Sequence, residues 1–165
     1  YTGQRRHWPP VSTGRATARV AALRMLTRRD YTAAELRAKL LDREHSASDI
    51  TAAIADLTRD RFVDDRRVAL AFLRVAADLK GRGRHRIERE LEHRGVDKAI
   101  IREALATLPV TDEIASIRRF LERKHLPDRL SPAEHRRIFG QLMRRGFSAD
   151  LIATAIRSRA TDDDA

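Results

Sequence analysis

Two glycines near the middle of the chain are surrounded by basic side chains. The run Lys80-Gly-Arg-Gly-Arg-His-Arg86 contains four basic side chains besides its histidine, namely Lys80, Arg82, Arg84 and Arg86. It opens a segment in which the apolar residues have helical spacing, and on that helix Arg86, Arg89 and His93 share one face. Such a face could bind phosphates or an acidic protein surface, whereas the alternative is an ordinary solvated charged surface.

No group of side chains has the spacing of a catalytic or metal site. The glycines lack the order of a phosphate-binding loop, there is no cysteine, and the six histidines are scattered. The pair Asp64-Asp65 has no histidine near it, so we interpret it as acids at a helix N-terminus, where they offset the helix dipole. We therefore predict a protein that is not an enzyme and holds no metal or cofactor.

The strong positive charge favours a polyanionic partner, either nucleic acid or an acidic protein face. The net charge is +10 and the isoelectric point is about 11.1. Residues 1–30 carry seven arginines and a single aspartate, and residues 1–15 are predicted to form a basic, disordered arm. This arm lacks the apolar stretch of a secretory signal, and no apolar run approaches the length of a membrane span, so no membrane partner is expected.

One pattern recurs three times along the chain at intervals of 51 residues. The matched sets are Leu36, Ile87 and Ile138; Leu40, Leu91 and Leu142; Arg43, Arg94 and Arg145; Ile50, Ile101 and Ile152; and Ile54, Leu105 and Ile156. Agreement of several positions at one fixed interval indicates three tandem copies of a structural repeat. Within each copy the apolar residues recur every three or four positions, which is the spacing of amphipathic helices.

Helix boundaries are marked within the copies. Thr32 and Ser131 each precede a glutamate by three residues, as in capping boxes. Gly95 and Gly146 stand where a helix ends on a left-handed residue. Glu44 occupies the corresponding position of the first copy, so we expect either a strained turn or a different turn there.

These patterns predict an all-α fold of nine helices in three tandem three-helix repeats, which form an elongated, curved helical-repeat body. The predicted segments are a basic arm (1–15), repeat 1 (16–60), repeat 2 (61–108), repeat 3 (109–160) and an acidic tail (161–165). A helix-turn-helix that reads base edges is disfavoured, because the second helix of each pair offers few suitable outward side chains.

Several stretches resemble the hallmark segments of RecX regulatory proteins. They are Phe62-Val-Asp-Asp-Arg-Arg-Val-Ala69, then Gly81-Arg-Gly-Arg-His-Arg-Ile-Glu-Arg-Glu-Leu-Glu-His-Arg-Gly-Val-Asp97, and upstream Ala22-Leu-Arg-Met-Leu-Thr-Arg-Arg29 with Glu35-Leu-Arg-Ala-Lys-Leu40. The likeness extends over residues 16–160 and is strongest between 20 and 108. The sequence departs from the family pattern at Val68, where an aromatic residue is common, and at Glu44, which replaces a glycine.

The resemblance implies a cytoplasmic regulator of DNA repair, recombination and the SOS response. Such a protein binds RecA filaments on DNA and inhibits or modulates their extension, ATP hydrolysis and strand exchange. It also binds single- and double-stranded DNA more weakly and without sequence specificity; we expect a monomer. The predicted RecA- or DNA-contacting residues are Lys80, Arg82, Arg84, Arg86 and Arg89, followed by Arg24, Arg28, Arg118 and Arg119.

Two other classes of function stay open at this point. One is a general, non-sequence-specific nucleic-acid-binding helical repeat protein without a RecA target. The other is an adaptor for an acidic protein. Binding to naked DNA as tight as to RecA filaments would favour the first class, and insensitivity to DNA would favour the second.

Overall fold

The computed structural model describes residues 13–124, 126–127 and 130–162, and this part of the chain contains helices and no strand. The α-helices are α1 (Thr13–Leu26), α2 (Ala33–Leu41), α3 (Ala47–Arg59), α4 (Asp65–Arg74), α5 (Arg84–His93), α6 (Lys98–Ala106), α7 (Val110–Glu122), α8 (Pro132–Arg144) and α9 (Ala149–Asp162). The prediction of an all-helical chain of tandem three-helix repeats is confirmed. Positions 1–12 of the predicted arm and 163–165 of the predicted tail lie outside the described residues, and residues 13–15 belong to the first turn of α1.

Two helices begin with the capping boxes that the sequence predicts. The Thr32 hydroxyl accepts a hydrogen bond from the Glu35 backbone N–H, and the Glu35 carboxylate accepts one from the Thr32 N–H, both at 3.0 Å. Ser131 and Glu134 form the same pair of bonds at the start of α8, with Pro132 as its first residue. Each cap stabilises its helix by about 1 kcal/mol, so these local bonds fix where α2 and α8 begin.

The paired acids Asp64 and Asp65 lie at a helix start, as their sequence context predicts. Asp65 is the first residue of α4, and its Oδ1 accepts a hydrogen bond from the Ala33 backbone N–H at 2.8 Å. Ala33 begins α2, so this carboxylate satisfies one of the N–H groups that a helix leaves without an internal partner at its N-terminus. Its role is therefore structural.

The turn after the middle helix has the same conformation in all three repeats. Glu44, Gly95 and Gly146 have φ values of 64°, 73° and 92°, in the left-handed region. In each repeat the next residue donates its N–H to a carbonyl five positions back, which closes the helix as a Schellman motif does. These bonds run from His45 to Leu40, from Val96 to Leu91 and from Phe147 to Leu142, at 3.2, 3.1 and 3.3 Å. The prediction for both glycines is confirmed, and Glu44 makes the same turn at a cost of about 1 kcal/mol that glycine would avoid.

The chain packs into two compact units, one that ends at Asp65 and one that begins at Arg66. The first unit has one hydrophobic core, whereas the second has two, one around α5 and α6 and one among α7, α8 and α9. The apolar residues that recur at the 51-residue interval form the centres of these cores. Those at most 2% exposed are Leu36, Leu40, Ile50, Ile87, Leu91, Ile101, Ile138, Leu142 and Ile152. The periodic pattern therefore predicted correctly which helix faces are buried.

A π-helical turn over Val75–Leu79 continues α4, and the apolar spacing of the sequence did not predict it. The Lys80 N–H donates to the Val75 carbonyl five residues back at 3.2 Å, and the Arg82 N–H donates to the Ala76 carbonyl at 3.0 Å. Gly81 then follows with a φ of 55°. π-Helical turns occur mostly as single turns within α-helices, whereas this one follows α4 and leads the chain directly into the basic residues.

In the first unit, ion pairs join α1 to α3. Arg15 Nε donates to Asp56 Oδ2 at 2.8 Å, and Arg59 Nη2 donates to Asp56 Oδ1 at 2.9 Å. Arg19 Nη2 donates to Asp60 Oδ2, also at 2.9 Å. The hydrogen bond from Arg15, supported by Arg59, holds the pKa of the Asp56 carboxyl below its usual range. Part of the positive charge at the head of the chain is thus neutralised within its own unit.

Replacing Asp56 by asparagine is expected to lower the free energy of unfolding at neutral pH and to have no effect in strong acid. The pKa of Asp56 is lower in the folded chain than in the unfolded chain. Its stabilising contribution is therefore fully present above the unfolded pKa and is lost as the pH falls through the lower, folded pKa. Urea unfolding of both proteins from neutral to acid pH measures this difference, and a difference that does not change with pH would contradict the ion-pair explanation.

Candidate functional site

The basic cluster, defined as residues 80–86, lies against the turn that ends α8. The Gly83 N–H donates to the Arg145 carbonyl at 2.9 Å, and the His85 N–H donates to the Gly146 carbonyl at 3.1 Å. In return, Arg145 Nη1 donates to two carbonyls of the basic cluster at 3.3 and 3.4 Å. Hydrogen bonds of the basic cluster's backbone therefore connect the start of α5 to the end of α8 within the second unit.

A buried carboxylate holds Arg84 in place. Glu113 of α7 is 2% exposed and accepts hydrogen bonds from the Arg84 backbone N–H at 3.0 Å and from Arg84 Nε at 2.6 Å. Arg84 Nη2 also donates to the Leu108 carbonyl at 3.2 Å. Arg84 is the first residue of α5, and the N-cap before it, Gly83, has no side chain to accept a hydrogen bond. Glu113 therefore supplies the cap that α5 lacks.

A second carboxylate is shared by Arg82 and Arg86. Arg82 forms an ion pair with Glu90, and Arg86 Nε donates to Glu90 Oε1 at 3.0 Å. Thus three of the five residues predicted first as partner contacts are ion-paired within the chain: Arg82, Arg84 and Arg86. A variant that replaces all three by alanine would lose these internal bonds together with any contact to a partner, so it would not isolate binding.

The predicted basic face of α5 forms one wall of an open groove in the second unit. Arg86, Arg89 and His93 all line this groove, as their helical spacing predicts. The other lining residues are Phe72, Glu90, Arg94 and Arg144, and the groove encloses about 440 Å³. We call this surface the basic groove.

Arg144, in the last turn of α8, adds a cation that was not among the predicted contacts. It lines the basic groove beside α5, since the basic cluster holds the end of α8 there. Among the described residues, Arg89, His93 and Arg144 are exposed and form no ion pair with the chain. These three are therefore the side chains of the basic groove that are available to an anionic partner. The signal that could have revealed Arg144 is the 51-residue interval, which places it in register with His93.

The arginine that recurs in the repeats lies over an aromatic ring in the second unit. The Arg94 guanidinium carbon is 5.6 Å from the centre of the Phe72 ring, and that of Arg145 is 4.8 Å from the centre of the Phe120 ring. Both geometries are those of cation–π contacts. Packing on an aromatic ring of the repeat's first helix thus gives a structural reason for arginine at this position in the second and third repeats.

The residues predicted as secondary contacts lie elsewhere. Arg118 and Arg119 of α7 donate to Ser158 Oγ at 3.3 Å and to Ser116 Oγ at 3.0 Å. Arg119 also lines a smaller pocket of about 160 Å³ together with Glu113. The last two are exposed in the first unit, Arg24 in the last turn of α1 and Arg28 in the turn that follows α1, and Lys80 is exposed in the second unit. Their contact with a partner stays a prediction.

Neither a cluster of metal ligands nor a membrane-spanning helix is present in the described ranges 13–124, 126–127 and 130–162. No group of three or more histidine, cysteine, aspartate or glutamate side chains there could hold a metal ion. Of the helices in these ranges, none is both long enough and apolar enough to cross a membrane.

Known proteins match this chain over most of its length. Residues 18–57, 64–105 and 111–156 match the models of the first, second and third three-helix domains of RecX. The chain is 36% identical over 140 residues to the regulatory protein RecX of Trichlorobacter lovleyi, covering 81% of this chain and 89% of that protein. It is also 36% identical over 149 residues to that of Halorhodospira halophila, covering 88% and 90%. The crystal structure of RecX from Lactobacillus salivarius shares the fold, with a TM-score of 0.83 at 21% identity over 90% of this chain and 98% of that one.

Proposed function

Because the chain belongs to the RecX family of regulatory proteins, we propose that it binds RecA filaments on DNA and restrains their extension. Restrained extension would lower ATP hydrolysis and strand exchange by RecA, and so regulate DNA repair, recombination and the SOS response. In this proposal the protein acts in the cytoplasm as a monomer, without catalysis of its own, and binds free DNA more weakly than the filament.

The observation that best supports this proposal is the basic groove. Arg89, His93 and Arg144 converge there from two helices and have no ion-pair partners among the described residues. A nucleoprotein filament presents acidic side chains and phosphates, which guanidinium groups bind by charge-assisted hydrogen bonds. A regulator that works by occupying a surface needs such complementary charge and a rigid scaffold, and it needs no catalytic constellation.

The proposal predicts that this protein lowers the DNA-dependent ATPase rate of RecA when it is added well below the concentration of RecA. One molecule bound at a growing filament end would block the addition of many RecA subunits. The fall in ATPase rate should therefore be larger than if each molecule inhibited a single RecA subunit. The measurement is steady-state ATP hydrolysis on single-stranded DNA across a titration of this protein. An unchanged rate even at equimolar protein would overturn the proposal.

Reversing two charges of the basic groove tests where the filament is bound. In the variant with Arg89→Glu and Arg144→Glu, we expect that at least about tenfold more protein is needed for half-inhibition of the ATPase. The matched control is Lys98→Glu with Arg102→Glu, which makes the same change in net charge on exposed residues of α6 that line a different groove. Equal loss in both variants would mean that only the net charge matters and would remove the basic groove from the proposal.

A further inference from the structure

We propose that the occupant of the basic groove is a short acidic peptide segment of a partner protein that carries one apolar side chain. This inference rests on the proposed function only for the choice of surface. The free charges of the basic groove and its aromatic wall determine the chemistry of the ligand. The alternative occupant is a nucleic-acid strand, and three features of the basic groove disfavour it.

The first feature is the small number of free cations. Of the cationic side chains that line the basic groove, Arg86 is already bound to Glu90, and Arg94 lies over the Phe72 ring. Two guanidinium groups, Arg89 and Arg144, remain without an ion pair among the described residues. A protein that makes about 6–10 phosphate contacts needs many more free cations than the basic groove offers, whereas two guanidinium groups match two carboxylates spaced along a peptide.

The second feature is the carboxylate of Glu90, which lines the basic groove itself. It accepts hydrogen bonds from Arg82 Nη1 and Arg86 Nε, and so offsets one of the two positive charges of these guanidinium groups. This part of the basic groove therefore attracts a continuous row of phosphates less than two unpaired guanidinium groups would. A peptide can place an uncharged residue opposite Glu90.

The third feature is that the face of the Phe72 ring is already covered by Arg94. Phe72 is half-buried, and Arg94 stands over its face at 5.6 Å, so a nucleobase could stack there only by displacing the guanidinium. Stacking on such rings is a main source of affinity for single strands, and here that position is taken. The rest of the Phe72 ring and the aliphatic stems of the arginines still offer apolar surface, which suits a leucine-sized side chain.

Fluorescence anisotropy with the full chain tests this inference. The probe is a labelled peptide of glutamates and aspartates with one central leucine, and the comparison ligand is a labelled oligothymidylate, both at about 0.15 M salt. We expect saturable binding of the peptide that is weakened at least about tenfold by Arg89→Glu with Arg144→Glu. We also expect little change with Lys98→Glu and Arg102→Glu, and weaker binding when the central leucine of the peptide is replaced by glycine.

Each contrary outcome is informative. Tighter binding of the oligothymidylate, lost in the same basic-groove variant, would overturn the inference and assign the groove to nucleic acid. Equal affinity for the leucine and glycine peptides would overturn the apolar anchor. If the protein inhibits the RecA ATPase but does not bind the peptide, this inference fails while the proposed function stands. Far-UV circular dichroism of each variant confirms that loss of binding does not come from loss of helix.

Discussion

Replacing Gly83 by alanine is expected to lower the free energy of unfolding of the second unit by about 3 kcal/mol. A β-carbon at this position would lie 2.5 Å from the Phe147 nitrogen and closer still to the carbonyl group of Gly146. These are backbone atoms, so no side chain can rotate away, and the hydrogen bonds from Gly83 and His85 to the turn after α8 would have to lengthen. Equilibrium unfolding in urea measures the change.

Gly140→Ala is the matched control for this prediction. Gly140 lies in the interior of α8, and its β-carbon would meet no atom closer than Arg144 Nη1 at 3.5 Å, an ordinary contact. Alanine favours the helical conformation over glycine, so this variant should be more stable than the natural chain by about 0.5–1 kcal/mol. Destabilisation of both variants to a similar degree would contradict the steric explanation for Gly83.

Glu113→Ala is expected to destabilise the second unit by about 2–3 kcal/mol, because it removes one partner of a mostly buried, charge-assisted pair. The Arg84 backbone N–H and its Nε would both lose their acceptor. Glu113→Gln should lose less, since the amide oxygen can still accept one hydrogen bond. Urea unfolding gives the free energies, and hydrogen exchange at the Arg84 amide reports directly on the cap at the start of α5.

An exposed ion pair of the same unit provides the comparison for Glu113. Arg66 and Glu103 form an ion pair with side chains that are 63% and 53% exposed. Because solvent screens such pairs, Glu103→Ala should change the stability by less than about 1 kcal/mol. If the two glutamate variants lost equal stability, burial of Glu113 would not be the reason for its effect.

Local features of the fold could be predicted from the sequence because their causes lie within a few residues. The Thr32 capping box and the left-handed turn at Gly95 each depend on side chains that are neighbours in the chain. The buried faces follow from helical spacing, as the full burial of Ile87 and Leu91 shows. The interval of 51 residues extended the same reasoning to Glu44, which makes the glycine-type turn although its side chain disfavours it.

The partners of the arginines could not be predicted, since helical spacing identifies a face but does not reveal what packs against it. Arg84 looked like an exposed cation until Glu113, which is 29 positions away in the sequence, was found beside it. Arg144 was not predicted as a contact, because its place in the basic groove depends on the backbone contact at Gly83. The π-helical turn has no spacing signal of its own. The sequence therefore indicated the charge of the site correctly, but it did not indicate which charges are free.

The contact between Gly83 and the turn at Gly146 also bears on how a chain of this kind can evolve after duplication. In many repeat proteins a copy can be lost or inserted because each copy meets its neighbours in the same way. Here α5 draws its cap from α7, and the N–H groups of Gly83 and His85 find their acceptors after α8. Deleting the last copy would leave the N–H groups of Gly83 and His85 without these acceptors, and Arg84 without the Glu113 carboxylate. We therefore expect the second copy to be stable only together with the third, which would constrain a change of copy number at this end of the chain.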